Sequence, residues 1–324
     1  MRQYRQLTED DRIEIYAMKQ AGKTSAPIAL RLGVDRSTIY RELQRNSGHR
    51  GYRPKQAHQN AIQRRYLARK AIKMTPETID YIEQKIKTEH APEQVARRMK
   101  IDPHWTGPTV SHERIYQHIW RDKREAGGLY KHLRIAGTKQ RRKRRNSKDS
   151  RGTIPHRVGI EKRPHIVDQK KRIGDWEGDT MIGAHHKGAL VTLVERKSKF
   201  TLIGKVRRPT AEAVKQMIVR LLRRHRKRVH TLTVDNGKEF TEHLAVAKSL
   251  KAKVYFADPY AAWQRGLNEN TNGLIRQYFP KGMDLRYVTH EKLNLVMTRL
   301  NQRPRKTLGF LTPNEVYYGN KRIK

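Results

Sequence analysis

Two acids far apart in the chain, Asp235 and Glu269, stand where a folded α/β protein collects ligands. The alternation Val229-His230-Thr231-Leu232-Thr233-Val234 reads as a strand, and Asn236-Gly237 behind Asp235 is a turn signal, so Asp235 falls at a strand mouth. A short strand Lys253-Val254-Tyr255-Phe256 follows, then the loop Ala257 to Tyr260, and a polar helix from near Gly266 carries Glu269 in its first turn. Strand ends and helix starts are the usual ligand positions of such folds, although an acid there also suits the helix dipole. Asn272 and Arg276, three and seven residues on, share the face of Glu269, while Leu267, Leu274, Ile275 and Tyr278 supply a buried side. Gly273 costs that helix about 1 kcal/mol against Ala, which a closely approaching backbone or ligand would explain. Upstream, Gly174 to Gly183 reads as a strand with Asp175, Glu177 and Asp179 on one face at period two. Three acids in a row repel each other. Either Lys and Arg neutralise them, or one or two join Asp235 and Glu269 around divalent cations, since hard oxygen ligands suit magnesium or manganese. Asp179, deepest in apolar context, is the first choice, with Asp175, Glu177, Asn236 and Asn268 in support.

The elements needed to hold these acids follow in order. Strands are expected at Ala189 to Glu195 and Phe200 to Val206, then a crossover helix from Ala211 to about Arg224 capped by Thr210, then the Asp235 strand. This predicts a mixed α/β sheet covered by helices. His156, His165, His185, His186 and His230 make no metal-ligand spacing with one another and read as turn or surface residues.

The words around the acids are more specific than their spacing. Gly174-Asp175-Trp176-Glu177-Gly178-Asp179, Asp235-Asn236-Gly237-Lys238-Glu239-Phe240 and the run from Trp263 through Glu269 to Gly282 together resemble the insertion-sequence transposases of the IS-thirty family. Asp179, Asp235 and Glu269, with a basic residue seven after the Glu, resemble the DDE triad of ribonuclease-H-like transposases and retroviral integrases. Gln264 departs from the pattern, standing where that family's Trp-Glu-Arg-Gly word has Glu, and so removes the nearest rival to Glu269. The resemblance covers nearly the whole chain. It implies an α/β ribonuclease-H-like catalytic core with the mixed sheet, all-α helix-turn-helix modules before it, binding of the element's terminal inverted repeats, strand cleavage, and strand transfer by the freed 3′-hydroxyl.

Composition agrees with a polyanionic partner. Over 324 residues, 72 Lys plus Arg against 31 Asp plus Glu give a net charge of +41, and nucleic acid is expected rather than a membrane, since no stretch approaches the roughly 20 apolar residues of a span. Cysteine is absent, which excludes disulfides and thiolate zinc sites. A cytoplasmic protein acting on double-stranded DNA, with no small-molecule substrate, is the expectation.

Five segments are expected. Residues 1–50 hold a helix-turn-helix: Thr8 caps a first helix, Ser25 to Leu32 form a second, Gly33 turns, and Arg36 to Arg45 form the third. In that geometry Arg36, Ser37, Thr38, Tyr40, Arg41 and Arg45 meet the major groove or flanking phosphates. Residues 51–74 form a basic helical linker in which Arg64, Arg65, Arg69 and Lys70 suit phosphates. Residues 75–122 repeat the helix-turn-helix idea, with caps at Thr75 and Ser111, Pro76 and Pro92 at helix starts, and Val110 stapled to Ile115. Residues 123–165 form a second linker, where Lys139, Arg141, Arg142, Lys143, Arg144, Arg145 and Lys148 make seven cations in ten positions. The catalytic domain with C-terminal helices spans 166–324; Gly152 to Ile173 read as its extended lead-in, Arg299, Arg303, Arg305 and Lys306 as DNA contacts, and Leu311 to Val316 as a capping box with staple.

The expected chemistry uses two magnesium or manganese ions roughly 3.5 to 4 Å apart, bridged by Asp179 and completed by Asp235 and Glu269, with Asn268, Asn272 and Arg276 positioning phosphates. Joining two DNA ends calls for more than one protomer. Two other readings compete: a DNA-binding repressor with an inactive nuclease-like domain, and a structure-selective nuclease of the same fold.

Overall fold

The computed structural model describes residues 5–68, 72–134, 154–259 and 261–319. The chain divides into two compact units, Met1–Ile72 and Lys73–Lys324.

In the first unit, Thr8 caps α1 (Glu9–Gln20) in a reciprocal box with Asp11. Helix α2 (Ser25–Leu32) stops at Gly33, whose φ of 65° is a left-handed value that glycine adopts without strain. Helix α3 (Arg36–Asn46) starts where the Asp35 carboxylate accepts from the Ser37 N–H. A small hairpin pairs β1 (Ser47–Gly48) with β2 (Gly51–Tyr52), and α4 (Pro54–Leu67) closes the unit. Ile15, Ile28, Leu32, Ile39 and Ala57 make its core. Beside that core Arg12 and Glu42 form a buried ion pair at 2.7 Å.

The second unit begins with α5 (Pro76–Lys87), α6 (Pro92–Ile101) and α7 (His112–Arg124), capped at Thr75 and Ser111 and packed around Ile82, Ile86, Val95, Met99, Ile115 and Ile119. The lead-in to the sheet is not extended throughout: after a 3-10 turn at Ile160–Lys162 comes the short α8 (Ile166–Gln169). Ile154 drops into the core, and the Phe256 N–H donates to the Val158 carbonyl, so this segment also flanks a sheet edge that would otherwise stay open.

Five strands follow with their helices: β3 (Asp175–Ile182), β4 (Ala189–Glu195), β5 (Thr201–Val206), α9 (Ala211–Leu222), β6 (Thr231–Val234), α10 (His243–Leu250), β7 (Lys253–Phe256) and α11 (Gly266–Ile275). The sheet order is β5-β4-β3-β6-β7, antiparallel from β5 to β3 and parallel from β3 to β7. Two helices complete the unit, α12 (His290–Gln302) and α13 (Pro313–Tyr318). The expected mixed sheet covered by helices is what forms. Helix α9 covers one face because Val214, Ile218 and Leu222 recur every four residues and sink into a core with Trp176, Leu193 and Leu232; fully burying each such side chain is worth about 1.5–3 kcal/mol. Helices α11 and α12 cover the other face through Leu274, Ile275, Val296 and Leu300, against Met181 and Leu190. Helix α10 was not expected from the sequence, and α12 is among the C-terminal helices expected there without bounds.

The three-helix region docks onto the C-terminal helices within this unit. The Arg98 guanidinium grips the Glu315 carboxylate with both nitrogens, at 2.6 and 2.9 Å, and Gln94 donates to the Pro304 carbonyl at 2.8 Å. A forked pair that is largely buried is specific in geometry as well as strong.

Candidate active site

Register brings the first two acids together. Parallel pairing sets Glu177 beside Thr233; two residues further on, at the same level and on the same face, stand Asp179 on β3 and Asp235 just beyond β6. Gly174 starts this arrangement: its φ is +114°, and a Cβ there would sit 1.9 Å from the Arg228 carbonyl oxygen, so the close approach of the chain before β6 tolerates no side chain.

Helix α11 lies over this face. From the residue before it, the Arg265 guanidinium reaches both acids, 3.5 Å from Asp179 Oδ1 and 3.4 Å from Asp235 Oδ2. Asn272 donates to Asp179 Oδ2 at 2.8 Å, and its own carbonyl accepts from the Thr192 hydroxyl at 3.1 Å. The Thr180 N–H donates to Asp179 Oδ1 at 2.9 Å and the Gly237 N–H to Asp235 Oδ1 at 3.0 Å. Burial pushes the Asp179 carboxyl above the usual carboxylate range, Arg265 opposes this, and the neighbouring Asp235 charge adds to it. The site is therefore two carboxylates on one arginine, a donor arrangement short of positive charge.

The other acids of β3 are spent internally. Asp175 is held by two bonds from Arg172, at 2.8 and 2.9 Å, and one from the Thr231 hydroxyl; burial alone would raise its pKa, but these partners keep it below the ordinary value. Glu177, 2% exposed, accepts from Arg196 at 2.7 Å and from the Asn268 backbone N–H at 3.1 Å. Of the two readings of the three-acid face, neutralisation describes Asp175 and Glu177.

Glu269 is exposed in the first turn of α11. It lies four residues after Arg265 and three before Asn272, hence on the helix face that both of these use to reach Asp179. Among the described residues, no three His, Asp or Glu side chains form a metal-holding group; Asp179 and Asp235 are brought together on Arg265, and Glu269 is carried by the covering helix. Asn268 is fully buried, which turns it inward rather than toward a phosphate. Arg276 donates to the carbonyls of Phe279 and Ile182, tying the end of α11 to β3. Asn236 donates to the Ala257 carbonyl at 2.6 Å and so joins the two loops that follow β6 and β7. A Cβ on Gly273 would meet nothing nearer than an Arg134 nitrogen at 3.8 Å, an ordinary contact; no backbone crowds it.

Arg265 was missed by sequence reasoning although it stands in the Trp263–Gly282 run; its position four residues before Glu269 was the available signal. Glu239 was missed too, and it accepts from the Thr180 hydroxyl. Gln264 forms a two-bond exchange with Asp258, accepting from its N–H and donating to its carboxylate at 2.7 and 2.8 Å, which fixes the loop before α11.

Away from this site, Arg36, Tyr40, Arg41 and Arg45 are exposed along α3, with Ser37 and Thr38 half-buried in its first turn. Arg69 and Lys70, and Arg141, Arg142, Lys143, Arg144 and Arg145 with the rest of the basic run, lie outside the described residues. Arg303 is 4% exposed and Arg305 donates to the Leu300 carbonyl. Burial lowers the pKa of both, that of Arg305 to about 10; Arg303 is an interior residue, not a DNA contact.

Comparison with known proteins gives two family matches, a helix-turn-helix domain over residues 3–46 and an integrase core domain over residues 169–262. A transposase for insertion sequence element IS4351 of Bacteroides fragilis is 43% identical over 96% of this chain and 95% of its own length. Transposase InsI for insertion sequence element IS30A of Escherichia coli is 38% identical over 96% of this chain and 82% of its own. Among solved structures, the catalytic core domain of BIV integrase aligns over 45% of this chain and 94% of its own, with 24% identity and a TM-score of 0.35.

Proposed function

Because the chain belongs to the IS-thirty (IS30) family of insertion-sequence transposases, we propose that it carries out DNA transposition with Asp179, Asp235 and Glu269 as its acidic set. DNA transposition is what a helix-turn-helix domain joined to an integrase core serves in this family, and the chain is an enzyme of the nucleotidyl-transfer type. The observation that carries the assignment is the sharing of Arg265 between Asp179 and Asp235 beneath a helix whose same face bears Glu269.

The donor set fits a hard divalent cation, because two carboxylates balanced by one guanidinium leave negative charge to be neutralised. Asp179 and Asp235 would hold magnesium or manganese, Glu269 completing the set from α11; two such ions would activate the attacking hydroxyl and stabilise the leaving oxygen. The chain's own residues do the positioning. Asn272 fixes the Asp179 carboxylate through one oxygen, leaving the other to face Arg265. Arg276 and Gln264 hold the two ends of the covering segment. In cleavage, water attacks the phosphorus and the 3′-oxygen leaves as a hydroxyl; in transfer, that hydroxyl attacks a second phosphodiester, so one P–O bond forms for each one broken. No covalent bond from protein to DNA is required.

Exposed cations along α3 support reading of the element's terminal repeats by the first unit. Synapsis of two ends requires at least two protomers. A repressor or a cutting-only nuclease is not favoured, since the relatives that match nearly the whole chain are transposases. The test is a joining assay on linear DNA carrying the element's terminus. Magnesium-dependent nicking and joining by the native chain, both absent in Asp235→Asn and Glu269→Gln, are expected; nicking by either purified variant would overturn the assignment for that residue.

A further inference from the structure

The opposite end of the sheet carries a charged surface that the reaction does not use. Strands β3, β5 and β6 run in the same direction, so Asp179 and Asp235 lie toward their carboxyl ends. Helix α9 leaves that end and returns to the amino end, where it runs into a 3-10 turn, Arg223–Arg228, that feeds β6. This turn reads Arg-Arg-His-Arg-Lys-Arg, and its Arg and Lys residues are all exposed while His225 is half-buried. From Arg228 to Asp235 the chain runs seven nearly extended residues, roughly 20 Å, so the two groups occupy different ends of the molecule.

Three features make this more than another solvated basic run. Among the described residues, no carboxylate lies in ion-pair range of Arg223, Arg224, Arg226 or Lys227; the acid that precedes the turn, Glu212, is taken by Lys215, and the one that follows it, Asp235, faces Arg265. The turn borders a groove of about 970 Å³ running along the edge strand β5 to α12. The floor of that groove is aromatic and tied to the turn: Tyr317 stacks on Phe200 with ring centres 4.4 Å apart, and Arg228 lies over the Tyr317 ring while donating to its carbonyl. A packed aromatic floor rimmed by cations without acidic partners is a surface suited to a polyanion.

We propose that the Arg223–Arg228 turn and its groove hold duplex DNA by its phosphates, in a stretch separate from the one presented to Asp179 and Asp235. A duplex lying across the carboxyl ends of the strands leaves the amino ends free, so one protomer engages DNA at both ends of its strands.

The test uses the full chain and a 30-base-pair duplex of arbitrary sequence, so it does not depend on catalysis. Each phosphate contact contributes about 0.9 to the slope of log affinity against log salt. The triple variant Arg223→Ala, Arg224→Ala, Lys227→Ala is expected to lower that slope by roughly 2 to 3, whereas Arg223→Lys with Arg224→Lys keeps it, separating lost charge from lost fold. An unchanged slope in the triple variant overturns the proposal. So does an unchanged slope with a shift in sedimentation, which would make the groove a contact between copies of the chain. The chain has no cysteine, so Arg224→Cys offers a single thiol for a photo-cross-linker. On cleaved end DNA the adduct is expected away from the scissile phosphate, and an adduct at that phosphate overturns the separation.

Discussion

Asp175, Glu177 and Asp179 occupy one face of one strand, two residues apart, yet they divide into two kinds. Asp175 has Arg172 to itself, and Glu177 belongs to a balanced cluster in which two arginines, Arg196 and Arg163, meet two carboxylates, Glu177 and Asp168. Asp179 shares Arg265 with Asp235. A buried carboxylate with a full complement of partners is part of the fold, and removing it strands the partner charge. A pair of carboxylates on one arginine is held at a cost in self-repulsion that an additional cation relieves. In the assignment we propose, the same residue type in the same pattern serves stability at Asp175 and Glu177 and chemistry at Asp179, and the count of positive partners separates the two.

The largest expected effect tests the chemical half of this contrast. Asp235→Asn removes ligand charge with little change of shape and is expected to cut end cleavage at least ~10³-fold, since several kcal/mol of transition-state stabilisation at about 1.4 kcal/mol per decade is at stake. Its melting temperature should be equal to or above that of the native chain, because a like-charge contact is relieved. A large drop in melting temperature with cleavage intact would invert the comparison. The structural half is broken by Glu177→Gln, which leaves the buried Arg196 with only Asp168, a carboxylate that Arg163 also uses; a loss of about 3 kcal/mol in denaturant unfolding is expected, the low end for breaking a buried pair, with cleavage per folded molecule retained. If Glu177→Gln instead abolished cleavage without loss of stability, Glu177 would belong with the site.

Arg265→Gln sharpens the boundary. Without the shared guanidinium the two acids repel more, so the free protein should be less stable by on the order of 1 kcal/mol, and added magnesium should raise its melting temperature more than it raises that of the native chain. A magnesium shift no larger than the native one would mean that the arginine does not stand in for a cation. The smallest effect is at Gly273, where the space for a methyl group is open. Gly273→Ala should stabilise the free chain by about 0.5–1 kcal/mol, seen as a modest rise in denaturant midpoint, and any accompanying loss of joining would show that DNA approaches this turn of α11.

Much of the frame was readable before folding, because local signals set it. Thr8, Thr75, Ser111 and Thr210 each cap the helix expected of them, and β4, β7 and α11 begin where the apolar alternation or the polar run begins. Helix α10 escaped notice because His243–Leu250 is short and its cap residue, Glu242, makes no side-chain cap bond. Arg303 was misread because a charged side chain in a basic stretch looks solvated until tertiary packing encloses it. The lead-in to β3 looked extended because its short helical turns carry no capping or periodic signal of their own.

What the amino-acid order determined by itself was which acids stand as candidates for the site we propose, the strands and helices that carry them, and the charge that calls for a polyanion, since each depends on neighbours within one or two turns. Which acids meet, and which cation each one meets, was decided only by folding: Arg196 reaches Glu177 across 19 residues and Arg265 reaches Asp179 across 86. Such distant pairs are fixed by strand register and by how α11 packs over the sheet, and charge pairing falls off too steeply with distance for anything but the folded geometry to choose among 72 cations.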